Sequence, residues 1–273
     1  MKLQEKFSEL QQKKSALLAT NFYNYETLKG ILLAASGLNV PIILQITEKS
    51  INYLGLDIAT KMARSALDQF EVEGWLHLDH ADSYDLVARC LDAGFDSVMM
   101  DASDKPFKDN IALTKKVVDK AQNYQANVEA ELGYIAKLGQ SKEKVGFTDP
   151  DEAKIFVDET GISALAVAIG TSHGFYTKEP NLDIERLKSI HKLIPDIALV
   201  LHGGSGVPNE QLKKAISEGI VKINFATEIK NMFMGELKRA LNKTEEIDLR
   251  IVFPEAIASV EKLVGDKLKV VTV

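Results

Sequence analysis

The sequence predicts an α/β fold in which eight parallel strands close into a barrel, with one additional helix before the first strand. Short apolar runs alternate with longer amphipathic segments through all 273 residues, and no linker or low-complexity tract interrupts them. Strict alternation of this kind is typical of a parallel sheet. Eight even units favour a closed (β/α)8 barrel over an open doubly wound sheet, which is the alternative. We expect residues 1–273 to form this single domain.

The predicted strands are short runs rich in branched and small apolar residues. In chain order they are residues 16–22, 41–47, 74–80, 97–103, 126–132, 164–170, 198–204 and 220–226. Between these runs, apolar residues recur three and four positions apart, which indicates amphipathic helices. The predicted helices are residues 25–36, 58–70, 83–93, 113–123, 150–160, 184–193, 208–217 and 227–241, with residues 1–14 as the additional first helix.

Glycine marks the predicted ends of several helices. Gly37, Gly94, Gly161 and Gly219 each follow a helical pattern, at the position where a left-handed cap is expected. The single cysteine, Cys90, lies on the apolar side of a predicted helix, so we expect a buried thiol and no intrachain disulfide.

Composition excludes several classes of function. Hydrophobic residues make up 45% of the chain, and 33 basic against 39 acidic residues give a formal net charge of −6. A mildly acidic chain without a basic block predicts no nucleic-acid or membrane-surface partner. No apolar run approaches the ~20 residues of a membrane span, and the first residues lack the apolar core of a signal peptide. The cytoplasm is therefore the expected location.

Polar side chains collect where the predicted strands end. In a barrel of this kind, the carboxyl ends of the strands meet at one face, which carries the active site. The polar residues at or near these ends are Asp79, His80, Asp101, Glu129, Glu131, His173, His202, Asn224 and Thr227.

Three histidines are the strongest feature of this face. His80, His173 and His202 follow strands three, six and seven. Three imidazoles with an open fourth position form the usual ligand set of a catalytic zinc ion. His191 lies on a predicted helix and is expected at the surface. His77 lies within strand three and is expected to support a ligand rather than to bind the metal.

Asp79 and His80 are neighbours in strand three. Successive residues of a strand point to opposite faces, so a shared site requires the strand to end between them and twist. Asp79 next to a metal ligand is well placed for general acid/base transfer. A role in orienting His77 or a ligand is the alternative for this carboxylate.

Glycine-rich segments surround two of the histidines. GTSHG contains His173, and HGGSG begins at His202. Small residues allow the backbone to approach a ligand closely, and the loops after strands seven and eight are the usual phosphate site of this fold. A tight turn is the ordinary alternative for HGGSG. Thr227 can also act as the N-cap of the last predicted helix, with or without a role in phosphate binding.

These segments resemble a known family. HLDHADS, SVMMDAS, VEAELG, AVAIGTSHGFY, LVLHGGSGVP and KINFATE are similar to signature segments of the class II, zinc-dependent fructose-bisphosphate and tagatose-bisphosphate aldolases. ATNFYNYETLKG resembles the family's first strand and helix, and TEKSINYLG its second loop. The matching segments run in the family's order from Ala19 to Glu228.

The resemblance implies reversible cleavage of fructose 1,6-bisphosphate or tagatose 1,6-bisphosphate into dihydroxyacetone phosphate and an aldehyde. It implies that His80, His173 and His202 bind Zn²⁺. It implies that Asp79 is the acid/base group for the hydroxyl on the aldehyde side. Asp101 and Glu131 match carboxylates that hold a second or displaced metal ion.

The resemblance also implies a site for the ketose phosphate. The matching residues are Gly174, Gly203, Gly204, Ser205, Asn224, Phe225, Ala226 and Thr227. Gly203 and Ser205 also match a site for a monovalent cation, Na⁺ or K⁺, in some members. Asn21 and Thr47 are further expected substrate contacts. Relatives are homodimers or homotetramers, so a homo-oligomer is expected.

Two segments depart from the family pattern. The loop at residues 133–147 lacks the glycine pair and acidic residues of relatives, and its only acid before Asp149 is Glu143. Glu143 is the candidate for the base that removes the substrate proton, and a solvated charge run is the alternative. Near the C-terminus, Asp248, Leu249 and Arg250 replace the family's Asp-Pro-Arg, which makes Arg250 a candidate for binding the far phosphate.

Three functions stay open at this stage. The first is the bisphosphate aldolase described above, and the second is an aldolase for another sugar phosphate in a dedicated catabolic pathway. The third is a non-catalytic relative that serves as a binding or assembly subunit. The intact Asp79 and three histidines favour an enzyme, whereas the altered loop favours the third function. Zinc is the favoured metal, although three-histidine sites also accept cobalt and other divalent ions.

Overall fold

Eight parallel strands form a closed barrel in which each strand lies beside its neighbours in sequence and β8 pairs with β1. The computed structural model of the protein describes residues 1–133, 135, 146–174, 176 and 179–272. The strands are β1 (Leu17–Asn21), β2 (Ile42–Thr47), β3 (Gly74–Ala81), β4 (Ser97–Met100), β5 (Asn127–Leu132), β6 (Ala164–Val167), β7 (Ala198–Leu201) and β8 (Ile220–Phe225). The predicted barrel is confirmed, and the open-sheet alternative is wrong.

Helices surround the barrel. They are α1 (Leu3–Lys13), α2 (Tyr25–Leu38), α3 (Glu48–Leu54), α4 (Leu56–Gln69), α5 (Tyr84–Asp92), α6 (Phe107–Ala121), α7 (Pro150–Thr160), α8 (Ile184–Leu193), α9 (Asn209–Ser217), α10 (Thr227–Leu241), α11 (Leu249–Val252) and α12 (Pro254–Val271). A 3₁₀ turn at Gln122–Tyr124 follows α6. The sequence prediction omitted α3, α11 and α12. The last of these carries a readable helical signal, because its buried residues Ala256, Val260, Val264 and Leu268 recur every four positions.

The additional helix α1 covers the end of the barrel where the strands begin. Its buried residues Leu3, Phe7 and Leu10 join the apolar cluster formed by inward-facing strand residues such as Leu17 and Trp75. The helix contacts β7 and β8, and the Trp75 indole N–H donates to the Met1 carbonyl at 3.2 Å. The end opposite to α1 is left open for the site.

The glycine predictions are confirmed at three of four helix ends. Gly94, Gly161 and Gly219 have φ of 90°, 69° and 117°. The prediction for Gly37 is wrong because this residue lies inside α2, and Asn39 takes the left-handed cap with φ of 53°. The buried thiol expected of the single cysteine is confirmed.

No helix in the described parts of the chain has the length and apolar character needed to cross a lipid bilayer.

The contact between α2 and α12 generates a stability prediction. A Cβ atom added at Gly30 of α2 would lie 2.8 Å from the Ile257 carbonyl oxygen and 2.9 Å from Val260 Cβ. Because backbone and Cβ atoms cannot rotate away, we expect Gly30→Ala to lower the free energy of unfolding by about 1–3 kcal/mol. Urea denaturation measures this difference.

Gly37→Ala is the matched control on the same helix. A Cβ atom there meets nothing within 4 Å. Because alanine has the higher helix propensity, we expect this variant to be unchanged or more stable, by up to about 1 kcal/mol. Equal unfolding midpoints for the two variants would contradict the close packing of α2 on α12.

Candidate active site

A cavity of about 680 Å³ opens at the carboxyl ends of the strands, and we call it the mouth cavity. Twelve of the residues predicted from the sequence line it: Asn21, Thr47, Asp79, His80, Asp101, His173, Gly174, Gly203, Ser205, Asn224, Ala226 and Thr227. A second cavity of about 550 Å³ lies at the other end of the barrel beside α1, and no histidine lines it. The chemistry-bearing side chains therefore belong to the mouth cavity.

The three predicted metal ligands converge at the base of the mouth cavity, which His80 and His173 line and beside which His202 is fully buried. Nitrogen atoms of His80, His173 and His202 lie within 4.8 Å of one another. His80 Nε2 and His202 Nδ1 are only 3.0 Å apart. The rings of His80 and His173 meet edge to face with centroids 4.9 Å apart. Three imidazoles that point at a common space fit the ligand geometry of a divalent transition metal.

A local distortion of β3 brings His80 into this group. The expectation that the strand ends between Asp79 and His80 is wrong, since β3 continues to Ala81. Instead, His80 has a left-handed backbone with φ of 52°, and the pairing of β3 with β4 shifts between Leu78 and Ala81. This bulge overrides the alternation of the strand, so that both neighbours line the mouth cavity.

Carboxylates orient two of the three imidazoles. His80 Nδ1 lies 2.8 Å from Asp101 Oδ2, and His202 Nε2 lies 2.8 Å from Glu129 Oε1. An ionised carboxylate only accepts hydrogen bonds, so each ring donates through that nitrogen and presents its other nitrogen to the shared space. Carboxylate partners of this kind commonly fix the tautomer of metal-binding histidines.

Asp101 and Glu131 form a second group with His80. Ligand atoms of these three residues also lie within 4.8 Å of one another. Ser103 Oγ lies 2.8 Å from Asp101 Oδ1 and 3.1 Å from Glu131 Oε1. Glu131 Oε2 is buried and has no hydrogen-bond partner in the described structure. A buried carboxylate oxygen without a partner is suited to a cation.

Negative charge dominates the base of the mouth cavity. Burial and the charge of Asp101 raise the pKa of Glu131 to about 7. Burial alone would lower the pKa of His80, but the charge of Asp79 and the hydrogen bond to Asp101 outweigh it and raise that pKa to about 9. Both shifts favour an added proton, which is the response expected of a site with a surplus of carboxylates.

Asp79 keeps one oxygen available to a ligand. Asn21 Nδ2 donates to Asp79 Oδ2 at 2.9 Å, whereas Asp79 Oδ1 is buried without a hydrogen-bond partner and lies 3.9 Å from His80 Nε2. Burial opposes ionisation of this carboxyl, but the charges of His80 and His202 and the Asn21 bond keep its pKa below the usual value. His77 contacts Ser97 and Lys222 instead, so Asp79 is not its orienting partner.

The loops after β6 and β7 are joined by Tyr176. Its hydroxyl accepts from the Ser172 backbone N–H at 2.9 Å and donates to the Gly203 carbonyl at 2.8 Å. A Cβ atom at Gly203, which has φ of 66°, would lie 2.5 Å from the Ser172 carbonyl oxygen. The loop that carries His173 is therefore fixed against the glycine-rich turn, and glycine is required there by packing as well as by backbone conformation.

Two of the predicted phosphate-site residues do not line the mouth cavity. Phe225 is fully buried beneath Lys267, and Gly204 packs against Ile223 and Asn224. The prediction that Thr227 caps the last predicted helix is wrong, since Thr227 is the first residue of α10 and the N-cap position is Ala226.

The remaining predictions from the sequence concern Glu143, Arg250 and His191. Glu143 lies outside the described residues, so its role stays a prediction. Arg250 lies on α11 with a 90% exposed side chain paired with Asp248, and it is not among the residues that line the mouth cavity. His191 on α8 is half-buried against Gly219 rather than at the surface.

Sequence reasoning gave no role to several charged groups at the site, among them Lys49, Glu129, Lys222 and Lys230. Lys49 and Lys230 line the mouth cavity, and Lys230 Nζ lies 5.3 Å from the centre of the Tyr23 ring. Their positions in the first turns of the helices that follow β2 and β8 were the available signal. Glu129 was noted at a strand end without a role. Lys222 falls in the middle of an apolar strand run and gives no sign of function by itself.

Comparison with known proteins agrees with this arrangement. The family model for class II fructose-bisphosphate aldolases matches residues 1–273. The YdjI aldolase from Escherichia coli K12, known from a crystal structure, shares 31% sequence identity with this chain. The two structures superpose with a TM-score of 0.86, over 99% of this chain and 96% of that chain.

Two further solved structures share the fold. A putative fructose-1,6-biphosphate aldolase from Coccidioides immitis is 27% identical with a TM-score of 0.90, over 99% of this chain and 96% of that chain. The fructose-bisphosphate aldolase of Campylobacter jejuni has 20% identity and a TM-score of 0.85, over 98% and 93% of the two chains, and supports the fold alone. On the match to the whole chain and the 31% identity, the protein is an aldolase of the class II fructose-bisphosphate aldolase family.

Proposed function

We propose that this aldolase reversibly cleaves fructose 1,6-bisphosphate or tagatose 1,6-bisphosphate into dihydroxyacetone phosphate and an aldehyde, with a zinc ion held by His80, His173 and His202. The observation that carries the proposal is the convergence of the three imidazoles at the base of the mouth cavity. Asp79 stands beside them with one unpaired buried oxygen.

The residues present fit a divalent metal. Three imidazoles bind a metal as neutral ligands, for which His80 has to release the proton that its raised pKa retains, and two of them are already oriented by Asp101 and Glu129. A bound zinc ion would act as a Lewis acid that polarises the ketone of the substrate. The raised pKa values of His80 and Glu131 indicate a site that favours added positive charge. Cobalt suits the same donor set.

A second or displaced metal position would use His80, Asp101 and Glu131. In the present geometry, His80 Nδ1 and Asp101 Oδ2 form a hydrogen bond of 2.8 Å. A cation held by this set therefore has to replace that hydrogen bond. The unpaired Oε2 atom of Glu131 is the part of the set that is free to bind without such a loss.

Asp79 is assigned to the hydroxyl on the aldehyde side of the bond that breaks. Cleavage requires this hydroxyl to lose its proton as the carbon–carbon bond breaks. Asp79 Oδ1 has no hydrogen bond of its own to give up, and Asn21 holds the other oxygen in place. Because its lowered pKa keeps the carboxyl ionised at neutral pH, Asp79 is ready to accept the proton.

The phosphate of the dihydroxyacetone half is assigned to the loops after β7 and β8. Gly203, Ser205, Ala226 and Thr227 line the mouth cavity there. The residue before α10, Ala226, offers no side-chain cap, and Ser205 Oγ accepts from the Glu228 backbone N–H only at 3.5 Å, so the first-turn N–H groups are suited to an anion. A monovalent cation, Na⁺ or K⁺, next to Gly203 and Ser205 would add positive charge beside this phosphate.

The far phosphate is assigned to the lysines of the mouth cavity. Lys49 follows β2 and Lys230 follows β8, so they flank the sector of the cavity above β1, where Asn21 and Tyr23 lie. Arg250 does not line the cavity. An aldolase for another sugar phosphate with a second anionic group is the alternative function, because lysine binds an anion as a point charge with little geometric selection.

Loss of one imidazole tests the metal site. Since each ligand contributes directly to binding, His202→Ala should reduce zinc affinity by more than the ~10–100-fold typical of outer-shell residues. Competition with a chromophoric chelator measures the affinity. His191→Ala removes a histidine from α8, outside the mouth cavity, and should retain zinc. Zinc bound as tightly by His202→Ala as by the parent would overturn the ligand assignment.

Separate measurement of two activities tests Asp79. Asp79→Ala should retain zinc and bind dihydroxyacetone phosphate, whereas bisphosphate cleavage should fall by the ~10²–10⁴ typical of a lost general acid/base group. Solvent deuterium exchange at the α-carbon of dihydroxyacetone phosphate should survive better, because it requires no proton transfer at the aldehyde-side hydroxyl.

Asp85→Ala, an exposed residue in the first turn of α5, is the control for a lost carboxylate nearby and should change neither activity. If exchange, cleavage and zinc content fall together in Asp79→Ala, Asp79 supports the ligands instead of acting as the acid/base group.

A substrate comparison tests the far-phosphate assignment. Lys230→Met should raise the KM for the ketose bisphosphate by roughly tenfold, the factor expected for a lost charged contact. Binding of dihydroxyacetone phosphate should change little, since that half lacks the second phosphate. Lys238→Met, on the exposed side of the same helix, should alter neither value. Equal weakening of both ligands by Lys230→Met would place Lys230 at the other phosphate.

A further inference from the structure

A chain of buried polar side chains crosses the barrel interior beneath the histidines. Ser97 Oγ lies 2.8 Å from His77 Nδ1, and His77 Nε2 lies 3.2 Å from Lys222 Nζ. Lys222 Nζ lies 2.5 Å from Glu129 Oε2, and the other Glu129 oxygen lies 2.8 Å from His202 Nε2. Lys222, His77 and Glu129 are each 1% exposed. The chain therefore links four strands and ends on a proposed metal ligand.

A buried lysine in this position is costly without a function. The interior of such a barrel is normally filled by layers of apolar side chains. Ions taken out of water lose hydration energy, and a buried ion pair is often no more stable than apolar residues of similar volume. In the described structure, Lys222 is the one buried lysine or arginine, and it contacts Glu129 and His77 rather than the mouth cavity.

The ammonium group of Lys222 and the carboxylate of Glu129 together set the direction of the hydrogen bonds in the chain. An ammonium group only donates, so Glu129 Oε2 and His77 Nε2 both accept from Lys222. Glu129 Oε1 then accepts from His202 Nε2, which leaves the lone pair of His202 on Nδ1. That nitrogen faces His80 Nε2 at 3.0 Å, in the space where the three imidazoles converge.

The protonation state of His77 agrees with these hydrogen-bond directions. Burial and the charge of Lys222 lower the pKa of His77 to about 3. The ring is therefore neutral at physiological pH. It donates through Nδ1 to Ser97 Oγ, and its Nε2 atom is the acceptor that Lys222 requires.

We propose that Lys222 is a positioning residue that fixes the tautomer of His202 through Glu129, so that Nδ1 is free to bind the metal. This inference rests on the metal binding proposed for His202. A purely structural role for Lys222, in which it only balances the charge of Glu129, is the competing explanation.

Glu129→Gln separates the two explanations. The ammonium group of Lys222 would hold the amide oxygen of glutamine, which turns the amide NH₂ toward His202 Nε2. His202 would then accept at Nε2 and carry its proton on Nδ1, which blocks metal binding. We expect zinc affinity to fall by ~10–100-fold, although glutamine has the shape of glutamate.

The double variant Glu129→Gln/Lys222→Met should recover affinity. Without the ammonium group, the amide can rotate so that its oxygen accepts from His202 Nε2. Its NH₂ group can then donate to His77 Nε2, which lies 3.8 Å from the present Glu129 Oε2. We expect zinc binding at least tenfold tighter than in Glu129→Gln. A structural role predicts weaker zinc binding than in Glu129→Gln, since removal of both charged partners would disturb the barrel interior more than removal of one.

The experiment uses full-length zinc-free protein titrated with Zn²⁺ against a chromophoric chelator, with folding checked by circular dichroism. ¹⁵N NMR of the histidine rings in parent and Glu129→Gln gives a second readout that needs no double variant. It should show the His202 proton on Nε2 in the parent and on Nδ1 in Glu129→Gln.

The outcomes are distinct. A parent protein that binds no zinc at this site would overturn the proposed metal function itself. A parent that binds zinc, together with an unchanged tautomer in Glu129→Gln or a double variant weaker than Glu129→Gln, would overturn the role of Lys222 alone.

Discussion

Charge balance inside the upper half of the barrel is the constraint on which the site depends. Asp79, Asp101, Glu129 and Glu131 are all buried, with exposed fractions of 6%, 7%, 1% and 2%. Lys222 balances only one of these charges. Burial and the charge of Asp101 raise the pKa of Glu131, and the charge of Asp79 together with the Asp101 hydrogen bond raises the pKa of His80. A divalent cation among the histidines would relieve this surplus, so the electrostatics and the ligand geometry are both suited to the metal proposed above.

The barrel was predictable because its strands and helices leave strong periodic signals, and because polar residues mark the strand ends. The three histidines and Asp79 were predictable for the same reason, since parallel strands deliver their last residues to one face. The sequence prediction omitted three helices, α3, α11 and α12. Short α3 and α11 have too few residues for a periodic pattern, whereas α12 had a readable pattern that was not included.

The finer features of the site depend on geometry that a sequence does not contain. The bulge at His80 arises from a shift in the pairing of β3 with β4, and no residue type requires it. The contact between Lys222 and Glu129 joins β8 to β5 across the barrel, between strands that are not neighbours. Tyr176 similarly joins two loops from different strands. Each of these contacts becomes visible only when the barrel is closed.

Closure itself has a consequence for how the protein is made. The first strand is completed on one side by β8, with Leu17 opposite Lys222, and α12 packs on α2, α10 and β1. The backbone N–H of Ala16 donates to Val271, near the last residue described. During synthesis, the edge of β1 and one side of α2 therefore stay uncovered until β8 and α12 have been made. A fold with such distant contacts brings its three histidines together late, and its unpaired edge is open to aggregation until then.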